Sequence, residues 1–137
     1  MEEQVTSPKN QKKQILIVDD DSFLLDMYAL RFTQAGFDVQ TAMSPDEVLQ
    51  KLRAGLNPEV CLFDVVMPGT DGFEMLEMIN QENLIPKTIK IYLSNLGQDQ
   101  DIARGKSLGA ASYIVKANNT PSEVVDHVNK VLQNNGL

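Results

Sequence analysis

"ILIVDDD", residues 15–21, runs four apolar residues straight into three carboxylates. The apolar part has the length and unbroken character of a strand buried on both faces. Its ending needs a physical reason. At ~4 Å and an effective dielectric near 20, two unit negative charges repel by roughly 4 kcal/mol. Something of positive charge is expected beside them.

Outward from this stretch, short apolar runs alternate with helical spacing along the chain. The candidate strands are "QILIVD" (14–19), "DVQTA" (38–42), "VCLFD" (60–64), "IKIYLS" (89–94) and "ASYIVK" (111–116). Between them apolar residues recur at three and four. Leu24, Met27, Tyr28, Phe32 and Ala35 make one face of a first helix, closed by Gly36 in the C′ position. The second helix opens on "SPDE" (44–47), where Ser44 caps, Pro45 suits the first turn and Glu47 completes a capping box. "TPSE" (120–123) repeats that device before a last helix that buries Val124, Val125, Val128 and Leu132. A third helix, 72–82, presents Met75, Leu76 and Ile79. The fourth, 98–108, has few large apolar residues and an interior Gly105, which costs about 1 kcal/mol relative to Ala. It is the element most easily repositioned.

Strict alternation predicts an α/β fold: a doubly wound five-stranded parallel sheet with helices on both faces. Strand order 2-1-3-4-5, the flavodoxin-like arrangement, puts the switch point between the first and third strands, and ligands bind beyond the strand carboxyl ends there. At those ends stand Asp19, Asp20 and Asp21 on the first strand, Asp64 on the third, Ser94 on the fourth and Lys116 on the fifth. Singly, each has an ordinary explanation. Asp21 and Asp71 read as helix-start or turn residues, and His127 is expected on the surface. Jointly they offer carboxylates for a hard cation such as Mg²⁺, a carboxylate nucleophile for phosphorus, and a hydroxyl and an amine for phosphoryl oxygens. That inventory fits reversible phosphoryl transfer to a carboxylate.

Composition agrees with one domain. The chain has 137 residues, 42% hydrophobic and 23% charged, and a net charge of -7. The acidic balance argues against nucleic acid or an anionic membrane surface as direct partner. The apolar runs are far too short for a membrane span, and residues 1–14 lack the apolar core of a secretory signal. Residues 1–13 are polar and read as a disordered arm, with the folded domain over 14–137. Cys61, the sole cysteine, lies in an apolar run and reads as a small buried hydrophobe. A reducing, cytoplasmic setting follows.

On "ILIVDDD", "LFDVVMPGTDGFEML", "IYLSN", "LGAASYIVK" and the closing amphipathic helix, the sequence closely resembles the receiver domain of two-component response regulators. The resemblance spans nearly all of 14–135. It implies that Asp64 accepts a phosphoryl group from a sensor histidine kinase or a phosphotransfer protein. Asp20, Asp64 and the backbone carbonyl of Val66 would hold Mg²⁺, with Asp19 orienting water around it. Ser94 and Lys116 would take phosphoryl oxygens, and Ser94 with Tyr113 would form the switch. A stand-alone receiver of the chemotaxis type is implied, without an output domain. It would signal to an unknown downstream protein and be a monomer or a weak phosphorylation-dependent dimer. Such a protein is not an enzyme beyond its own phosphoryl transfer and slow dephosphorylation.

Two departures stand out. The family commonly has a cis proline after the lysine, whereas here Ala117 follows. A non-proline cis bond costs roughly 3 kcal/mol, so either the bond is trans with a different approach by Lys116, or the fold sustains the strain. Asn95 replaces the usual small residue after Ser94 and is expected to narrow access. Val66 and Leu96 flank the phosphoryl position without a polar group to hold a hydrolytic water. Two other classes compete. A haloacid-dehalogenase-like phosphatase needs an acid at the position of Val66, and a degenerate receiver acting purely as a binding module would not need the intact charged set.

Overall fold

The computed structural model describes residues 12–137. Nearly all of the expected N-terminal arm lies outside the described residues. Ordered pairing begins at Lys13, whose carbonyl accepts from the Asp38 amide at 2.9 Å.

Five strands and five helices alternate: β1 Gln14–Val18, α1 Ser22–Gln34, β2 Asp38–Ala42, α2 Pro45–Arg53, β3 Val60–Phe63, α3 Gly72–Gln81, β4 Ile89–Ser94, α4 Asp99–Ser107, β5 Ser112–Val115 and α5 Pro121–Asn134. The strands form one sheet in the order β2-β1-β3-β4-β5, and every pairing is parallel. The expected architecture and strand order are therefore present.

The period-two geometry of the strands sends alternate side chains to two cores. Ile15, Ile17, Val60, Leu62, Ile91 and Leu93 pack with Leu25, Tyr28 and Phe32 of α1 and Val124, Val125, Val128 and Leu132 of α5. Leu16, Val18, Cys61, Phe63 and Tyr92 face Val48, Leu49 and Leu52 of α2 and Met75, Leu76 and Ile79 of α3. Cys61 is fully buried as expected, and burial pushes its thiol well above the usual range.

Several boundaries and faces differ from expectation for local reasons. β1 and β3 stop one residue short of Asp19 and Asp64. The side chains of these aspartates accept backbone amides of the turning chain, Asp21 N at 3.0 Å and Val65 N at 2.7 Å. The buried face of α1 is Leu25, Tyr28 and Phe32; Leu24 turns toward the strand ends, and Ala35 is exposed as the C-cap. His127 is half-buried, with Nε2 2.8 Å from the Ser112 hydroxyl. The four predicted caps are present: Asp21, Ser44, Asp71 and Thr120 each accept a first-turn amide.

Gly105 has a packing reason. It is the buried residue of α4, and a Cβ there would stand 3.0 Å from the Tyr92 ring and 3.2 Å from the Tyr113 ring. The helix thus rests its backbone on two tyrosines, gaining proximity where it forgoes propensity.

Candidate functional site

The parallel register decides which charged residues become neighbours. Val18 pairs with Phe63, so the residues that follow, Asp19 and Asp64, emerge side by side at the switch point. Ser94 pairs with Val115, which brings Lys116 to the same rim. A cleft of about 340 Å³ opens there, lined by Asp19, Asp20, Asp21, Leu24, Asp64, Val66, Ser94, Asn95 and Lys116. Every residue expected to touch metal or phosphoryl group lines this one cleft. Tyr113 stands behind it, half-buried, with its hydroxyl donating to the Leu96 carbonyl.

The centre of the cleft is an ammonium between two carboxylates. Lys116 Nζ donates to Asp19 Oδ2 at 2.7 Å and to Asp64 Oδ2 at 3.0 Å, and all three side chains are under a tenth exposed. The Lys116–Ala117 peptide is trans. A 3-10 turn over Lys116–Asn118 follows the strand, held by Asn119, whose side-chain amide donates to the Val115 carbonyl at 2.9 Å.

Electrostatics follow from burial and count. Desolvation pushes the Asp64 carboxyl above its usual range, against the pull of the Lys116 charge and of hydrogen bonds from Lys116 and Ser94; the Asp19 charge adds to the push. Burial works to lower the Lys116 ammonium, but its bonds to Asp19 and Asp64 outweigh this and its pKa is raised. Asp20 is exposed at the rim. Carboxylate oxygens of Asp19, Asp20 and Asp64 lie within 4.8 Å of one another. Three carboxylates facing one ammonium leave negative charge in excess. A hard, oxygen-seeking cation fits this donor set, and Mg²⁺ suits a site with few carboxylates and room for water and phosphate oxygens.

Asn95 lines the cleft, as its place after Ser94 led us to expect. Two further contributors escaped the sequence reading: Leu24 also lines the cleft, and Gly72 supports its floor. A Cβ on Gly72 would lie 2.1 Å from the Asp64 carbonyl oxygen, and the Gly72 amide donates to the Val65 carbonyl at 2.7 Å. The signal that marks it is a glycine immediately after the Asp71 cap.

Comparison with known proteins agrees with this geometry. The family description "Response regulator receiver domain" matches residues 15–129. A "Probable transcriptional regulator ycf27" from Pyropia yezoensis is 33% identical over 125 residues, covering 91% of this chain and 49% of that protein. The "DNA-binding dual master transcriptional regulator RpaA" of Synechocystis is 32% identical over 102 residues, 74% of this chain and 42% of that protein. The chain thus spans about half the length of the curated relatives it matches. Among solved structures, a CheY-like receiver domain protein from Methanospirillum hungatei superposes with a TM-score of 0.81 at 27% identity, covering 90% of this chain and 96% of that one. With the family match, the strand order and the acidic cleft at the switch point in agreement, this chain belongs to the response regulator receiver domains of two-component systems.

Proposed function

We propose that the cleft accepts a phosphoryl group on Asp64 from the phosphohistidine of a sensor kinase or phosphotransfer protein. The change is then read at the surface by a downstream protein. The observation that carries this reading is the Lys116 ammonium shared between the buried Asp19 and Asp64, with Asp20 open beside them.

In the transfer, an Asp64 carboxylate oxygen forms a bond to phosphorus as the phosphorus–nitrogen bond breaks, the electron pair leaving with the imidazole nitrogen. Asp20, Asp64 and the Val66 carbonyl would hold Mg²⁺, which when bound would supply positive charge against the phosphoryl oxygens. Lys116 shifts its ammonium from the Asp64 carboxylate to one phosphoryl oxygen. The Ser94 hydroxyl, now fully buried and accepting from the Leu96 amide at 3.2 Å, turns to donate to another. Movement of Ser94 loosens the loop whose Leu96 carbonyl holds the Tyr113 hydroxyl, and α4, resting on Tyr92 and Tyr113, is the element that responds. This supplies the two-state element a phosphorylation switch needs. A kinase-coupled role places the chain in the cytoplasm, and no described helix is long and apolar enough to cross a membrane.

The phosphatase alternative has no support at its decisive position. Val66, where a general acid belongs, is an aliphatic side chain 60% exposed at the cleft. Incubation with Mg²⁺ and a small acyl phosphate should add one phosphoryl mass to the wild type and none to Asp64→Asn. Equal labelling of both, or of neither, contradicts the assignment.

The same side chains set the lifetime. Neither Val66 nor the part-exposed Leu96 can hydrogen-bond an attacking water through its side chain. Slow self-dephosphorylation is expected, and Val66→Asn with Leu96→Glu should accelerate it severalfold, followed as decay of the phosphorylated mass. An unchanged decay rate would show that water is ordered by other groups.

A further inference from the structure

The row of side chains directly beneath the cleft is aromatic. Phe63, Tyr92 and Tyr113 are in register on β3, β4 and β5, with ring centroids 6.2 Å and 5.7 Å apart along the row. Phe73, at the start of α3, stands edge-on to Tyr92 at 5.2 Å. If Tyr92 only filled space, phenylalanine would serve as well, because a buried hydroxyl is costly unless it is bonded.

Tyr92 is fully buried, and its hydroxyl donates to the Gly72 carbonyl at 2.9 Å. Burial raises its pKa, which keeps the hydroxyl protonated and able to donate. Gly72 in turn bonds the Val65 carbonyl and lies flat on the Asp64 backbone. The two tyrosines therefore divide the loops beside the cleft. Tyr113 holds the one after β4 at Leu96, and Tyr92 holds the one after β3 at Gly72.

We propose that Tyr92 is a positioning residue for the acceptor loop. Through Gly72 its hydroxyl fixes the backbone over 64–72, and with it both the Asp64 carboxylate and the Val66 carbonyl. Tyr92 touches none of the reacting atoms; it acts by limiting where that loop can move. The inference rests on the reading of Asp64 as acceptor.

Tyr92→Phe retains the ring against Phe73 and Tyr113 and removes only the hydroxyl. Amide exchange of metal-free protein should accelerate over 64–72 by roughly three- to tenfold, the range one net hydrogen bond carries. Exchange in β1 should stay at the wild-type rate. The Mg²⁺ concentration that half-protects residues 64–66 should rise by a similar factor. Tyr113→Phe, which frees the other loop, should alter neither. Wild-type exchange and Mg²⁺ response in Tyr92→Phe, or acceleration spread equally through β1, would overturn the proposal. Labelling of the wild type by acyl phosphate is followed in parallel. An unlabelled wild type overturns both the acceptor reading and this inference, whereas a labelled wild type with an unaltered Tyr92→Phe overturns only the role of Tyr92.

Discussion

Replacing Lys116 with methionine is expected to lower stability at neutral pH by roughly 3 kcal/mol, and added Mg²⁺ is expected to return much of that loss. The ammonium lies 2.7 Å from Asp19 and 3.0 Å from Asp64. Removing it leaves two buried carboxylates facing each other, and breaking a buried pair from one side typically costs roughly 3–5 kcal/mol. The sign with pH follows from linkage. Burial already raises the Asp64 carboxyl against the pull of Lys116, so without Lys116 it keeps its proton to a still higher pH, further above its unfolded value. A raised folded pKa means that stability is present at low pH and lost as pH rises. The deficit of Lys116→Met should therefore shrink toward acid and widen toward neutrality. A hundredfold excess of Mg²⁺ over its dissociation constant should stabilise the variant by about 2.7 kcal/mol, and the same concentration should stabilise the wild type less, because its carboxylates already share the Lys116 ammonium. Urea unfolding at several pH values, with and without the ion, measures all three. A variant as stable as the wild type at pH 7 and indifferent to Mg²⁺ would show that the carboxylates are not coupled through Lys116.

Gly72→Ala should cause the largest loss of activity of any substitution outside the charged set. The added methyl would sit 2.1 Å from the Asp64 carbonyl oxygen and 2.9 Å from the Val65 Cα. Both are backbone atoms, so neither can rotate away. Relief requires α3 or the acceptor loop to move, at a stability cost of about 1–3 kcal/mol for overpacking. The kinetic effect is larger. A displacement of about 1 Å in a reacting group can cost on the order of 100-fold in rate, and a loss of that order is expected in the initial rate of phosphorylation by acyl phosphate. A fully folded Gly72→Ala that is labelled at the wild-type rate would mean that the loop tolerates the shift without moving Asp64.

Much of this molecule is legible before any coordinates exist, and the exceptions have physical reasons. Unbroken apolar runs such as "VCLF" are short enough to suit central parallel strands, and alternation with capped helices left few topologies. Chemistry at the strand ends followed because the carboxyl ends of adjacent parallel strands must share a rim. Side-chain hydrogen bonds across the sheet were not legible. Nothing local marks Tyr92 as a partner of Gly72, 20 residues away in sequence. Lys90 sits in an apolar run, yet it is buried because its ammonium reaches the Ile85 carbonyl at 2.6 Å. That carbonyl is presented by a turn in which Asn83 and Ile85 both adopt positive φ. The face of α1 was read correctly at Tyr28 and Phe32, with Leu24 and Met27 packed at its margin, but Leu25 was missed as a buried member and Ala35 was wrongly included. His127 was assigned to solvent for want of knowing that Ser112 lies opposite. The Tyr92 and His127 misses concern partners 20 and 15 residues away in sequence, where periodicity carries no information.

The most direct test places the phosphoryl group on a single residue. Protein incubated with Mg²⁺ and acyl phosphate is reduced with borohydride, which converts an aspartyl phosphate to homoserine, and the peptides are then read by mass. Homoserine at position 64, and at no other aspartate, is the expected result. Homoserine at Asp19 or Asp20, or an unmodified protein, would contradict the assignment of Asp64 as the acceptor.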